Sequence, residues 1–381
     1  MRILFTHPKP ARISYKHMRA LKDAGHEVYL LCGKLSDDVL PSDINYFCDD
    51  YRPVLPLTKF PYYYKTYTGK IKRIVKELEP DIIQTYSEPD DVAVATIEAE
   101  TGVPVVFCNR DNVTAYTKDL LASRVVPKYI AYNKYLGYLP REILYNYLHK
   151  LEKKAHEKSN GRMYISPGML EYSSKKYDIS MHNLVVTEWV LDSELCKKKV
   201  EKLSSKDGNI HIGFTGAIVI KDDYRNHLSF LSALAKDNIH VHIHSIYHDD
   251  MSKYVTRLNC MTNPNFHLHD TLLPANEFVE SLASYDWGII PFEHQIRYVD
   301  TLLTNKIYDY ISAGIPIISS NTKTLAKFLS KHKLGFIYGN IEELKDKLKT
   351  ETPSNYTVDS SKFLLSKGIK RIVKFYEGFV S

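Results

Sequence analysis

The sequence predicts an α/β protein made of two doubly wound halves, and three observations carry that prediction. Short apolar runs of strand length alternate with amphipathic helical stretches. The alternation stops at a polar, lysine-rich segment and then restarts with the same grammar. A chain of 381 residues also exceeds what one hydrophobic core usually serves.

The first half opens on "RILFT", a buried strand, then a helix over 15–24, a stop at Gly25 and a strand "EVYLLCG". Together they make one β-α-β unit of a parallel sheet. The pattern returns as a helix over 69–79 ended by Pro80, strand "DIIQTYS", a helix over 91–101, and strand "VVFC". Residues 113–158 interrupt it with a long helical stretch, and strands "RMYISP" and "NLVVTEW" resume it. Residues 197–208 read as a linker. Beyond it come strand "IHIGFTG", a helix over 225–235, strand "IHVHIHSI", a helix over 251–258 and strand "FHLHD". A helix over 275–284, strand "WGIIPF", a helix over 304–313, strand "PIISS", a helix over 324–332 and strand "LGFIYG" complete the second half. The expected domains are residues 1–195 and 205–360, with a basic helix over 361–381 packing back on the first. In such sheets ligands bind beyond the carboxyl ends of the strands.

Apolar content of 44% and charged content of 25% are those of an ordinary globular protein, and a net charge of +6 suits anionic ligands. The five cysteines (32, 48, 108, 196, 260) are scattered and form no C-x-x-C, which points to a reducing compartment. The opening apolar run is too short for a signal peptide, and nothing approaches 18 consecutive apolar residues. A cytoplasmic protein is expected. Residues 113–158 hold nine Lys/Arg, four Asp/Glu and seven tyrosines. They read either as a packed helical hairpin with a solvated face or as a peripheral contact with the anionic inner face of a membrane.

Two stretches carry candidate binding chemistry. In "GFTGAIVIKDDYRN", Gly216 follows a strand and precedes a helix, where backbone N–H groups favour an anion. Lys221 and Arg225 can add charge to a diphosphate there, while a glycine needed only for the turn is the alternative. In "NKIYDYISAGIP", Lys306 and Asp309 share a helix face, Gly314 and Pro316 end the helix, and Thr304 and Asn305 are cap-type residues at its start. The pair is either a surface ion pair or a ligand grip, Lys306 on phosphate and Asp309 on vicinal ribose hydroxyls. His240, His242 and His244 alternate on one strand face, with His248, His267 and His269 nearby. Same-face neighbours stand roughly 6.6–7 Å apart and no Glu or Cys joins them at ligand spacing, so they read as packed histidines with no metal.

At this point the residues carry a resemblance. The run "LPANEFVESLASYDWGIIPF…TNKIYDYISAGIPIISSNTKTLAKFL…LGFIY" resembles the carboxyl-terminal half of family 4-type glycosyltransferases of the GT-B fold. The likeness is good over residues 205–345 and architectural over 1–190. It implies two Rossmann-like domains facing a central cleft, and metal-independent transfer from a nucleotide-sugar without a further cofactor. By resemblance, Asp309 stands where the family's ribose-binding glutamate sits, one methylene shorter, and Lys306 matches the motif's lysine. Lys221 or Arg225 falls in the diphosphate-binding region, and Tyr247 near the nucleobase. The family's first glutamate falls on Thr301, beside Asp300, so backbone N–H groups of 301–303 are expected to serve the donor sugar. In "VPVVFCNRDN", Arg110 takes the place where many relatives set a histidine near the reacting sugar, and Asp111 follows. Arginine is no base, but it can stabilise phosphate or orient an acceptor; a structural Arg110–Asp111 pair is the alternative.

The resemblance implies a retaining glycosyltransferase acting on a glycan or lipid-linked acceptor in surface polysaccharide or glycoconjugate synthesis. The alternatives are a nucleotide-sugar epimerase or phosphorylase on the same fold, a non-catalytic sugar-nucleotide-binding protein, or a nucleic-acid binder. No nucleic-acid motif is present, so no nucleic-acid partner is expected.

Overall fold

The computed structural model describes residues 1–7, 12–32, 44–48, 60–87, 90–111, 115, 141–179, 181–218, 226–247, 250–269, 271, 273–292 and 298–380. They form two compact units, Met1–Trp189 with Leu365–Ser381, and Val190–Leu364.

Unit 1 is built on a parallel sheet of strands β1 (Arg2–Thr6), β2 (Glu27–Cys32), β3 (Asn45–Cys48), β4 (Ile82–Tyr86), β5 (Val105–Asn109), β6 (Gly161–Tyr164) and β7 (Asn183–Val185). Their order is β3-β2-β1-β4-β5-β6-β7. Strands β4 and β5 are buried at every position, as a sheet covered on both faces requires. That is why they read as continuous apolar runs. Helices α1 (Arg12–Asp23), α2 (Phe60–Leu78) and α3 (Asp90–Glu98) connect the strands. Helix α2 puts Ile71, Ile74 and Val75 against Leu4 and Ile83 of the sheet. It begins nine residues before the expected residue 69, because Pro61 falls in the first turn, where proline is tolerated. Strand β3 is missing from the sequence expectation; a four-residue edge strand with Tyr46 exposed leaves little pattern to read.

Of the stretch 113–158, helix α4 (Arg141–Lys158) and Ala115 are described. Leu151 and Ala155 of α4 pack on Ala93, Val94 and Phe107, while Lys150 and Lys153 stay exposed. This part is a packed helix with a solvated charged face, and the rest lies outside the described residues. Helix α5 (Pro167–Lys176), also unanticipated, is started by Ser166, whose Oγ accepts from Met169 N–H at 3.0 Å.

Unit 2 repeats the plan with β8 (Ile210–Ile218), β9 (Ile239–Tyr247), β10 (Phe266–Leu268), β11 (Trp287–Ile290), β12 (Ile317–Ser320) and β13 (Gly335–Tyr338), in the order β10-β9-β8-β11-β12-β13. The segment read as a linker holds one helical turn, α6 (Ser204–Asp207). Then come α7 (Leu228–Leu234), α8 (Asp250–Thr262), α9 (Ala275–Ala283), α10 (Asn305–Ala313), α11 (Lys323–His332) and α12 (Ile341–Thr350). The core gathers Ile212, Phe214, Val241, Ile243, Trp287 and Ile289. Helix α12 is missing from the expectation, although Asn340 and Glu343 give it a capping signature: Asn340 Oδ1 accepts from Glu343 N–H at 2.9 Å.

The last helix, α13 (Leu365–Glu377), belongs to unit 1. Ile369, Ile372 and Tyr376 are buried, and Tyr376 O–H donates to Gln84 Oε1 on β4 at 2.6 Å.

Candidate functional site

Each sheet has one place where its strand order reverses, between β1 and β4 in unit 1 and between β8 and β11 in unit 2. Connections leave the two central strands in opposite directions there, which opens a crevice at their carboxyl ends.

In unit 2 that crevice brings together two residues ninety positions apart. Gly216 has φ +111°, and a Cβ built on it would stand 2.7 Å from Lys306 Cε and 2.9 Å from Nζ. The lysine of α10 therefore lies directly over the Gly216 backbone, with Nζ 5.2 Å from the Phe214 ring centroid. The sequence put Gly216 in a loop, but β8 runs on to Ile218, and Gly216 pairs with Ser245, whose hydroxyl donates to Gly216 C=O at 2.8 Å. The extra pairing to β9 prolongs the strand. Tyr310 locks α10 to the sheet: its hydroxyl donates to Ile289 C=O at 2.9 Å and accepts from Thr215 N–H at 3.2 Å. Its ring fills the space where Gly288 lacks a side chain.

Thr304 is the N-cap residue of α10, with φ −74° and ψ 153°, but its side chain makes no capping bond. Asn305 is exposed in the first turn, and Asp309 is half-buried one turn on. Gly314 ends the helix at φ +68°. Thr301 is buried and its hydroxyl donates to Tyr298 C=O at 2.8 Å. Asp300 accepts from Lys323 N–H at 3.1 Å and so caps α11. Tyr247 ends β9, its side chain outside the described residues, as are Lys221 and Arg225 altogether. A cavity of about 270 Å³ lies beyond β11, β12 and β13, lined by Phe230, Phe292, Ser320, Tyr338 and Asn340 among others.

In unit 1, Arg110 and Asp111 follow β5, and the backbone N–H groups of both donate to Ser87 Oγ, at 2.9 and 3.2 Å. No ion pair joins Arg110 to Asp111; Arg110 Nη1 donates instead to Ser14 Oγ at 2.9 Å. His7, His17 and Tyr86 complete the group, with His17 Nδ1 2.8 Å from Tyr86 Oη.

Residues 11–189 match the family model described as Glycosyltransferase Family 4, and residues 228–363 match the Glucosyltransferase 3-like, C-terminal domain. This chain is a family 4-like glycosyltransferase of the GT-B fold. Solved structures agree on the fold. A sucrose-phosphate synthase from Thermosynechococcus elongatus superposes with a TM-score of 0.71 at 9% identity, covering 99% of this chain and 98% of the other. The lipopolysaccharide-biosynthesis glycosyltransferase WaaG gives 0.59 at 14% identity, covering 91% and 89%. A protein named as a UDP-N-acetylglucosamine 2-epimerase from Listeria monocytogenes gives 0.58 at 12% identity, covering 98% and 94%. No curated protein sequence matches this one.

The histidines of this glycosyltransferase form a ladder. His211 Nδ1 pairs with His242 Nε2 at 2.9 Å, His242 Nδ1 with His269 Nε2 at 3.1 Å, and His240 Nδ1 with His267 Nε2 at 2.8 Å. Both carboxylate oxygens of Asp207 lie 3.1 Å from His211 Nε2, so that nitrogen carries the proton. The order of donors from His269 through His242 to His211 then follows, each imidazole accepting on one nitrogen and donating from the other. Burial, with neighbouring imidazoles second, lowers His242 to about 2; burial, with His269 second, lowers His244 to about 3. Among the described residues no group of three or more His, Cys, Asp or Glu is placed to hold a metal ion.

Sequence reasoning missed His7, Ser14, His17, Tyr86 and Ser87. The readable signal was "THPKP", a polar residue directly after the first strand, where a doubly wound half presents its ligand end.

Proposed function

We propose that this glycosyltransferase moves a sugar, with retention, from a nucleotide-diphosphate donor to a glycan or lipid-linked acceptor in surface polysaccharide or glycoconjugate synthesis. The observation that carries the reading is Lys306 laid over the Gly216 backbone at the reversal of the second sheet. A cation, a backbone with no side chain of its own and a helix start with no side-chain cap converge there, the combination a diphosphate needs.

In this reading the diphosphate meets Gly216, Lys306 and the first turn of α10 at Thr304 and Asn305, with Lys221 and Arg225 adding charge. Asp309 accepts from the ribose hydroxyls, backbone near Thr301 serves the donor sugar, and the base lies toward Tyr247. Arg110 and Asp111 orient the reacting sugar or acceptor. Catalysis comes from stabilising charge on the departing diphosphate, since charge develops there in the transition state. No metal or further cofactor takes part. WaaG, whose name places it in lipopolysaccharide biosynthesis, supports the polysaccharide context. Residues 113–158 are the proposed membrane-facing segment; no helix among the described residues is long and apolar enough to cross a membrane.

Calorimetric titration with UDP, GDP and their sugars tests this. We expect micromolar binding of one nucleotide, weakened about tenfold or more by Lys306→Ala and by Asp309→Ala. If no nucleotide binds, the donor site and the transferase reading fall together. The likeness to an epimerase keeps a second reading in play. Conversion of a nucleotide-sugar into its epimer without any acceptor would replace transfer by epimerisation.

A further inference from the structure

We propose that His7 and Arg110, at the strand-order reversal of the first sheet, form a pocket for an oxyanion, the phosphate or carboxylate group of a substrate. Charge is the first argument. Arg110 is half-buried, with its guanidinium carbon 5.9 Å from the Tyr86 ring centroid and Nη1 held by Ser14. Its Nε is buried without an acceptor, and among the described residues it forms no ion pair. A buried N–H donor left without an acceptor is unfavourable. The donors of a guanidinium match the oxygens of phosphate and carboxylate.

His7 is an independent observation pointing the same way. It is 3% exposed, and neither ring nitrogen has a hydrogen-bond partner. Buried polar groups are nearly always satisfied, so an imidazole with two open positions can take both a donor and an acceptor of a ligand. Its backbone N–H donates to Leu31 C=O at 3.0 Å, and its ring lies tilted against Tyr86 with centroids 4.8 Å apart. The ring is therefore held in place rather than left to turn toward water.

Burial first, and the charge of Arg110 second, hold His7 far below the ordinary imidazole range and lower His17 to about 3. Both rings are neutral, so the charged side chains of this group are Arg110 and the half-buried Asp111 that follows it. His17 Nδ1 is engaged with Tyr86 and its Nε2 is buried without a partner, whereas His7 keeps both ring nitrogens open. A neutral imidazole donates from one nitrogen and accepts on the other. It therefore suits an oxyanion with a hydroxyl beside it, as in a sugar phosphate or a sugar acid.

Two substrates of a transferase could bring that group, the diphosphate of the donor or an anionic acceptor, and the inference rests on the transferase reading only for naming them. The full chain is titrated calorimetrically with inorganic phosphate, glucose 6-phosphate, glucuronate, UDP and GDP. The proteins are wild type, Arg110→Gln, Arg110→Lys and His7→Asn, each with a thermal melt to establish that it is folded. Ring ¹⁵N resonances of His7 are followed with phosphate as a direct readout. We expect Arg110→Gln to weaken the oxyanion probes at least tenfold, Arg110→Lys to restore part of the loss, and the His7 ring signals to shift. Weakening of UDP or GDP as well assigns the group to the donor; weakening of the other probes alone assigns it to the acceptor. Absence of phosphate binding to wild type, or equal affinities in wild type and Arg110→Gln, overturns the pocket. Asp309→Ala separates this from the donor reading: it should lower nucleotide affinity and leave the His7 response to phosphate unchanged.

Discussion

At Gly216 the absence of a side chain does two things at once. It permits a φ of +111°, and it lets Lys306 Nζ come within 2.9 Å of where a Cβ would stand. Gly216→Ala should destabilise unit 2 by about 1–3 kcal/mol through backbone strain and displace the lysine. Differential scanning calorimetry reads the first effect and nucleotide titration the second; an unchanged affinity would detach Gly216 from the donor site. The histidine ladder supplies the pH dependence. His242 and His244 are neutral when folded, with values of about 2 and 3, against about 6.5 in the unfolded chain. Their depressed values mean the unfolded chain binds protons first as pH falls. Stability is thus full above about pH 6.5 and declines toward the folded values. Between pH 7 and 4.5 unit 2 should lose at least about 2 kcal/mol, read as a falling melting temperature, and His242→Gln should flatten that slope.

Helix α10 shows how an element carries a site. Its apolar positions Ile307, Tyr310 and Ile311 are buried, which turns Lys306 toward β8. Tyr310 fixes the depth of the helix through Ile289 C=O and Thr215 N–H. Burial pushes that phenol well above its ordinary range, so it is neutral and free to donate. Tyr310→Phe keeps the ring over Gly288 and removes both bonds. It should cost about 1–2 kcal/mol, with a smaller loss of nucleotide affinity than Lys306→Ala. A Tyr310→Phe protein as stable as wild type would show that ring packing alone seats the helix. Helix α13 was legible from its own sequence because its apolar stripe is regular. Strand β3 was not, since four residues at a sheet edge carry almost no periodicity.

On the scale of the whole molecule the chain returns to its first unit after completing its second. Ile372 is fully buried in unit 1, so Ile372→Ala should cost about 2–5 kcal/mol there through the cavity it leaves. Calorimetry should resolve two transitions and show the loss in one of them; equal shifts in both would mean that the units melt together. Local pattern by itself determined the α/β class, the restart near residue 210 and the placing of Lys306 and Asp309 on one helix face, because strand runs, helix stops and i, i+3 spacing are short-range properties. Only the tertiary structure decided that Gly216 lies under Lys306, that Arg110 has Ser14 and not Asp111 as its side-chain partner, and that His7 and Arg110 come against one ring, Tyr86. Those juxtapositions join residues ninety or more positions apart. They depend on strand order and on where the sheets reverse, and a parallel sheet sets both through packing that no local window of sequence contains.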